Sequence, residues 1–201
     1  VINMQDTFYG CASLAEFNVE IPNNVKKLTN MFSNCALLTI VPSVIPDSVT
    51  DMTRTFMNCT SLKTGPSIIP NSVINMDSTF YNCTSLVTGP TTVSSNVTNM
   101  KSTFYNCESL TTLPNTIPTS VTNMLQTFSN CSKVQGEIEI NANIDESIVF
   151  EWNGNQYKGY DQTFLNAATE SNGIIVKNTS TSREEILNTW VTSNSNITLE
   201  E

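Results

Sequence analysis

Apolar residues recur along this 201-residue chain at a constant interval of 24 positions. The interval holds for a valine, a methionine or leucine, a phenylalanine, a cysteine and a second leucine or valine. The phenylalanines of the series are Phe8, Phe32, Phe56, Phe80, Phe104 and Phe128. A constant period of this length predicts a solenoid, in which each unit forms one coil and neighbouring coils bury each other's apolar side chains.

The spacing inside one unit predicts a short helix. In the fifth copy Met100, Phe104 and Cys107 are related by i, i+4 and i+7, which places them on one helical face. Asn99 precedes them at the position of an N-cap residue, whose side chain accepts from the free N–H groups of the first turn. The unit is therefore predicted to contain a helix of about two turns, from Met100 to Tyr105.

The residue before each cysteine indicates where that helix ends. It is Gly10 in the first copy and an asparagine, such as Asn106, in the others. Glycine and asparagine are the residues that tolerate a left-handed backbone after a helix. A strand from Ser109 to Leu113 and a proline-containing turn are predicted to follow. The expected fold is an α/β repeat solenoid with short parallel strands on one face and short helices on the other.

The pattern changes after Cys131, and we divide the chain at that point. Residues 1–136 are assigned to six 24-residue repeats, and residues 137–201 to an atypical seventh repeat with a hairpin insert and a C-terminal cap. Asn153-Gly154 between the runs Val149–Trp152 and Asn155–Lys158 is the dipeptide typical of a two-residue hairpin turn.

The seventh repeat is predicted from Phe164, which follows Phe128 by one period plus an insert of 12 residues and has Ala167 in the cysteine position. Strands are predicted at Gly173–Lys177 and Asn196–Leu199. A helix over Arg183–Val191, capped by Ser182, is expected to carry Ile186, Leu187 and Trp190 and to cover the last coil.

The composition excludes several classes of function. Nine basic residues stand against 18 acidic ones, giving a net charge of −9, so nucleic acid and anionic membranes are not expected partners. The chain has no histidine, which removes the commonest general base and the usual zinc ligand. No apolar run approaches the length of a membrane-spanning helix. We expect no catalytic residues, no metal site and no cofactor.

The six cysteines allow three interpretations: buried free thiols, disulfides, or reactive or metal-bound thiols. All six fall in one register on the inward stripe, where stacked Cβ atoms would lie farther apart than a disulfide requires. Ala167 in the same position indicates that a small apolar residue suffices there. We therefore expect a structural core ladder of free thiols, comprising Cys11, Cys35, Cys59, Cys83, Cys107 and Cys131.

The repeat pattern SVTNMxxTFYNCxSLxTxPxxIPxS resembles the BspA-type leucine-rich repeat of bacterial surface proteins. It carries TFxxC where that family has AFxxC, and it shares the IPxSV landmark. Gly65 and Gly89 depart from the family pattern, since a leucine-like residue is usual there. The resemblance implies a monomeric, non-catalytic protein on the bacterial surface or outside the cell, adhering to a host or microbial protein or glycan. A spacer or stalk module of a larger surface or virion protein is the alternative, and an accessory domain of a larger enzyme is another.

Candidate ligand-binding residues follow from exposure and from the resemblance. Repeat proteins commonly bind through the strand face, where the candidates are Lys63, Thr64, Thr88, Thr111 and Thr112.

Aromatic candidates lie elsewhere in the chain. Tyr81 and Tyr105 follow the inward phenylalanines and either form an aromatic ladder for a ligand or cover neighbouring coils. Trp152 and Tyr157, with Tyr160, lie near the predicted hairpin and either stack on a sugar ring or pack the cap.

Overall fold

The chain winds into stacked coils in a computed structural model. The residues that the structure describes are 2–142, 149–152, 155–177, 194 and 196–200, with the backbone alone for 149–152. Each coil is numbered from its valine position, so that coil one is 1–24 and coil six is 121–144, and a repeat position runs from 1 to 24 within it.

The coils stack in the register that the sequence period predicts. Successive phenylalanine rings lie parallel, with centroids 5.7 Å apart for Phe8 and Phe32 and 5.5 Å apart for Phe104 and Phe128. Phe164 continues the stack at 5.4 Å from Phe128, although 36 residues separate them. The atypical segment after Cys131 therefore places a seventh coil on the sixth.

The core is made of columns, each holding one repeat position. Side chains of the second coil onward are fully buried at the valine, methionine, phenylalanine, cysteine and leucine positions, as for Val97, Met100 and Cys107. A buried threonine column lies beside them. The hydroxyl of Thr103 is 2.9 Å from the carbonyl oxygen of Met76 in the preceding coil and 2.8 Å from that of Met100. The hydroxyl thus satisfies its hydrogen bond inside the core.

The predicted helix from Met100 to Tyr105 is wrong, and the described part of the chain contains no helix. This segment forms consecutive turns, in which Thr103 N–H donates to Met100 O and Cys107 N–H to Phe104 O. Ser102 has a φ of +50°, which interrupts any right-handed helix. Asn106 also lies in the left-handed region, with a φ of +59°, as the sequence predicted. Each turn has its positive φ at the third position, as in a type II turn.

Hydrogen bonds to the next coil replace the hydrogen bonds that a helix would form within itself. The N–H groups of Met100, Ser102, Phe104 and Asn106 donate forward to carbonyl oxygens of coil six, at 2.8 to 2.9 Å. Every described coil from the first to the sixth repeats this arrangement at repeat positions 4, 6, 8 and 10. We call repeat positions 3 to 10 the turn side of the solenoid.

Asn99 acts as a cap, but it caps a turn. Its Oδ1 accepts from the N–H of Lys101 at 3.0 Å, which is the geometry of an Asx turn. Asn3, Asp51, Asn75 and Asn123 do the same in their coils. The same residue preference thus serves a turn as well as a helix.

Isolated parallel bridges join the coils on two sides, with five at repeat position 3, such as Asn75 with Asn99, and three on the opposite side. Coils one to five pair mostly through isolated parallel bridges, such as Thr64 with Thr88 and Ile68 with Thr92. The predicted strand at Ser109–Leu113 is not formed as such, and the strand of that coil is β1, Thr116–Ile117. The prolines and glycines between the two bridging positions break the pairing into short pieces. We call repeat positions 15 to 20 the strand side.

The C-terminal strands match the sequence predictions within a residue. After β2 (Gly136–Ile140) come the hairpin strands β3 (Val149–Trp152) and β4 (Asn155–Lys158), then β5 (Ile174–Lys177) and β6 (Ile197–Glu200). The parallel sheet has the order β1-β2-β5-β6, and β3 and β4 pair antiparallel. The predicted helix over 183–191 lies outside the described residues.

Gly65 and Gly89 make room for phenylalanine rings. A Cβ on Gly65 would lie 2.9 Å from Cε1 of Phe80, and one on Gly89 would lie 3.1 Å from Cε1 of Phe104. The departure from the usual leucine-like residue therefore has a steric cause.

Within the described residues, no helix is long and apolar enough to cross a membrane.

Candidate ligand-binding surfaces

The strand side presents a nearly uncharged surface over the central coils. In coils two to five, its single charged residue is Lys63. Thr64 and Thr112 are exposed and Thr88 is half-buried, so the three form a column along the solenoid axis. In the neighbouring column Lys63 and Val87 are exposed, while the hydroxyl of Thr111 donates to the carbonyl oxygen of Val87 at 3.2 Å. The predicted strand-side residues thus lie together.

Exposed aliphatic side chains concentrate on the same side. Nine large apolar side chains are exposed in the described chain, and five of them occupy the strand side: Val19, Ile40, Val44, Ile68 and Val87. Val44 is 72% exposed and Ile68 63%. Near coils one and two, a groove of about 400 Å³ runs past Val19, Ile40 and Val44. Contiguous exposed apolar surface of this kind is typical of interaction sites.

Tyr81 and Tyr105 stack on each other on the turn side. Their ring centroids are 4.8 Å apart and the rings are 8° from parallel, and both side chains are half-buried. Burial, and next the neighbouring Tyr105, raise the pKa of the Tyr81 phenol. The stacked pair spans two adjacent coils, which agrees with both sequence interpretations, an aromatic ladder for a ligand and a cover for neighbouring coils.

A second groove, of about 390 Å³, runs along the turn side. It begins at Tyr9, crosses Ser33 and Met57 and reaches Tyr81, all at repeat position 9. Arg54 and Lys101 also line it, and they are the two charged residues among its eleven lining residues.

Of the three aromatic candidates near the hairpin, the structure describes the side chains of Tyr157 and Tyr160. Tyr157 is half-buried on β4 and is paired with Phe150 in the strand register, whereas the side chain of Trp152 lies outside the described set. Tyr160 is 6% exposed and belongs to the core, with Lys158 Nζ 5.5 Å from its ring centroid. Tyr160 therefore packs the solenoid and cannot serve as an exposed stacking residue.

The cysteine column is a ladder of hydrogen-bonded thiols. Each buried Sγ donates to the carbonyl oxygen of the phenylalanine 27 residues earlier, as Cys107 does to Phe80 at 3.1 Å. Five thiols are fully buried: Cys35, Cys59, Cys83, Cys107 and Cys131. Cys11 departs from the expectation, because it is exposed at the outer surface of coil one.

Burial also makes these thiols poor nucleophiles. Desolvation raises the pKa of Cys83 and of Cys131 to about 12, and it raises the pKa of Cys107 well above its usual value. Since the thiolate is the reactive form, these groups stay protonated and unreactive near neutral pH.

A family model matches most of this stack. The model is described as "BspA type Leucine rich repeat region (6 copies)", and it matches residues 3–98 and 53–151. The chain belongs to the BspA-type leucine-rich-repeat family. That family is generally non-enzymatic and typically associated with the bacterial surface. No curated protein and no solved structure matches this BspA-type chain.

Sequence reasoning overlooked the residues that shape the turn-side groove. Ser33 and Arg54 line it, and Ser33 interrupts a column of larger side chains at repeat position 9. An alignment of the copies shows where a small residue replaces a tyrosine or methionine at repeat position 9, and it would have identified Ser33 together with Ser129. Arg54 carried no such signal, because its position varies freely among the copies.

Proposed function

We propose that this BspA-type chain is a non-catalytic binding module of a bacterial cell-surface or secreted protein. It attaches to a protein or glycan of a host or microbial surface, and the strand side makes the contact. The observation that carries the proposal is the concentration of exposed large apolar side chains on this side, five of the nine in the described chain.

The composition of the strand side supports a contact surface. Charged residues are depleted at the centres of protein interfaces, because an unpaired charge is costly to desolvate. Coils two to five offer threonine and aliphatic side chains there, with Lys63 alone carrying charge. The backbone beneath is fixed by hydrogen bonds between coils, such as Thr39 N–H to Ala15 O at 2.8 Å. A surface held in one conformation loses little entropy when it binds.

A triple substitution tests the proposal. Thr64→Lys, Thr88→Lys and Thr112→Lys place three like charges along the exposed column. The measurement is attachment of the purified chain to cultured host cells and to immobilised matrix proteins and mucin. We expect the triple variant to attach about tenfold less, since each lysine must be desolvated in the contact.

A matched triple variant provides the control. Thr50, Thr98 and Thr122 share repeat position 2, off the strand side, and each donates to a carbonyl oxygen of the preceding coil. Their replacement by lysine adds the same charge and is expected to leave attachment within about twofold. Equal loss in both triple variants would contradict a strand-side contact. Absence of attachment by the unmodified chain on every surface would instead favour the spacer or accessory role.

A further inference from the structure

The strand side lacks part of its backbone pairing in the first coils. In later coils the N–H at repeat position 19 donates to the carbonyl oxygen at position 19 of the preceding coil, as Thr91 does to Ser67 at 3.2 Å and Asn115 to Thr91 at 3.0 Å. Within the described residues, the N–H groups of Ser43 and Ser67 make no such bond, and the carbonyl oxygen of Val19 accepts none. Coils one, two and three are therefore not paired with one another at this position.

A groove of about 400 Å³ lies where this pairing is missing between coils one and two. Its lining residues belong to two segments, 17–23 of coil one and 40–46 of coil two, and we call it the strand-side groove. Phe17 N–H donates to Ile40 O at 3.0 Å and joins the two segments. Beyond that bond, the main-chain groups of 18–21 and 41–45 have no main-chain partner among the described residues. Unpaired main-chain groups of this kind can hydrogen-bond an added strand.

Exposed side chains at repeat positions 19 and 20 change from aliphatic to polar where the pairing begins. In coils one to three, one residue of each pair is aliphatic and exposed: Val19 at 65%, Val44 at 72% and Ile68 at 63%. In coil four, where the pairing is present, both residues are threonine, Thr91 and Thr92. Valine and isoleucine pack well against a neighbouring strand. The unpaired coils thus expose the side chains that an added strand would cover.

The carboxylates beside the strand-side groove lack a cationic partner. Glu20 is the one charged residue among the described lining residues, and the exposed Glu16 accepts from the neutral amide of Asn18 at 3.0 Å. Neither carboxylate has an ion pair within the described residues. Lys26 and Lys27, the nearest basic residues in the sequence, follow the proline turn and lie off the strand side. A basic group on the partner therefore complements this surface.

We propose that the strand-side groove binds an extended segment of a partner protein, which adds to coils one and two as a β-strand. The inference rests on the proposed function and names the partner as a protein. The main chain of the segment pairs with the unbonded N–H and C=O groups of the two lining segments. Its alternate aliphatic side chains cover Val19 and Val44, and a basic side chain lies near Glu20.

The groove suits a peptide better than a sugar. Sugar rings bind on exposed aromatic faces, but the one aromatic ring among the described lining residues is that of Phe17. This ring is half-buried and lies edge-on against Phe8 and Phe32, with centroids 5.2 and 4.9 Å away. The remaining apolar lining is aliphatic, and a peptide strand presents both aliphatic side chains and a regular row of main-chain donors and acceptors.

The test uses the whole 201-residue chain and a synthetic peptide of alternating valine and threonine with lysine at both ends. Binding is measured by amide shift changes in NMR spectra and by calorimetry. We expect shift changes concentrated in residues 17–23 and 40–46. A peptide of the same sequence with alternate amides N-methylated keeps the side chains and loses main-chain donors, so it should bind about tenfold more weakly or less.

Two variants at exposed groove positions locate the site. Val44→Ser removes an aliphatic contact and should weaken the lysine peptide by about fivefold or more. Glu20→Lys should weaken the lysine peptide by about tenfold, and it should bind a peptide with glutamate at both ends more tightly than the unmodified chain does. This reversal of preference distinguishes a charge contact from general damage to the fold.

Matched controls make the same changes outside the groove. Ile68→Ser removes an equally exposed aliphatic side chain at the same repeat position as Val44, and Glu108→Lys reverses an exposed charge away from the strand side. Both are expected to change affinity for the lysine peptide by less than about twofold.

Three results would overturn the proposal: no binding of the lysine peptide, equal affinity for the N-methylated peptide, or equal loss in Ile68→Ser and Val44→Ser. The attachment assay separates this proposal from the proposed function. If Val44→Ser and Glu20→Lys attach to host surfaces as the unmodified chain does, while the triple threonine variant does not, the strand-side contact stands and strand addition at the groove is wrong.

Discussion

The thiol of Cys107 donates a hydrogen bond to the main-chain carbonyl of Phe80, 27 residues earlier, with 3.1 Å between Sγ and the oxygen. The bond ties each coil to the one before it from inside the core. It also accounts for a cysteine at a position where the sequence alone suggested a choice between packing and chemistry. The thiol acts as a buried hydrogen-bond donor, so its protonated form contributes to the folded structure.

Chemical labelling should distinguish one thiol from the other five. In the native chain we expect iodoacetamide to modify Cys11, which is exposed, and to leave the five buried thiols unmodified. In denaturant all six should react, because the cause of protection is burial. Intact-mass spectrometry counts the adducts. More than one adduct on the native chain within the time that labels Cys11 would contradict the buried ladder.

The stability of the chain should fall in alkaline solution. The folded pKa of Cys83 and of Cys131 is about 12, above the ordinary value of 9.0, so the folded state keeps protons that the unfolded state releases. The free energy of unfolding is therefore unaffected by these thiols below about pH 9 and declines above it, by up to about 1.4 kcal/mol per pH unit for each thiol.

Urea titrations between pH 8 and 10.5 measure this decline. The Cys131→Ala variant should show a shallower dependence on pH, whatever its stability at pH 8. Cys11→Ala, which removes an exposed thiol, is the control and should keep the slope of the unmodified chain. Identical slopes in all three proteins would rule out a contribution from the buried thiols.

The glycine at repeat position 17 should resist replacement. Because a Cβ on Gly65 would lie 2.9 Å from the Phe80 ring, Gly65→Ala should destabilise the chain by about 1 to 3 kcal/mol through overpacking. Gly89→Ala should cost less, since the corresponding distance is 3.1 Å. Thermal unfolding monitored by circular dichroism gives both values. Ser67→Ala, at an exposed position nearby, is expected to change stability by less than about 0.5 kcal/mol.

The stability that the asparagine before each cysteine provides should be separable into a backbone contribution and a side-chain contribution. Asn106 has a φ of +59° and its Nδ2 donates to Asn82 Oδ1 at 2.7 Å. Asn106→Ala loses the bond and replaces asparagine, which tolerates the left-handed region, by a residue that does not, for a cost of about 2 kcal/mol. Asn106→Gly loses the bond alone, for a cost of about 1 kcal/mol. Equal destabilisation of the two variants, measured in urea, would show that the backbone contributes nothing.

The columns of the fold could be predicted from the sequence, and the local backbone could not. The 24-residue period predicted which side chains are buried because each coil faces a copy of itself. The i, i+4, i+7 spacing of Met100, Phe104 and Cys107 fits a helix, but consecutive turns also bring these residues to one side. Ser102 decides between them through its positive φ, and serine gives no strong signal of that conformation.

The candidate sites also include some residues that could be predicted from the sequence and others that could not. Exposed strand-side residues such as Thr64 and Thr112 were predicted because alternation in a strand places every second side chain outward. The turn-side groove is lined by residues of several coils, such as Tyr9, Arg54 and Lys101. Such a feature exists only relative to neighbouring coils, so single-unit reasoning did not find it.

The forward bonds on the turn side have an electrical consequence. In each coil the peptide units that join repeat positions 3–4, 5–6, 7–8 and 9–10 point their N–H groups toward the next coil, as Phe104 does toward Thr127 O. Their dipoles add along the solenoid axis, as peptide dipoles add in a helix, but with the opposite sense relative to chain direction. The N-terminal end of this strip is therefore the negative pole and the C-terminal end the positive pole, so anions are favoured near coil seven.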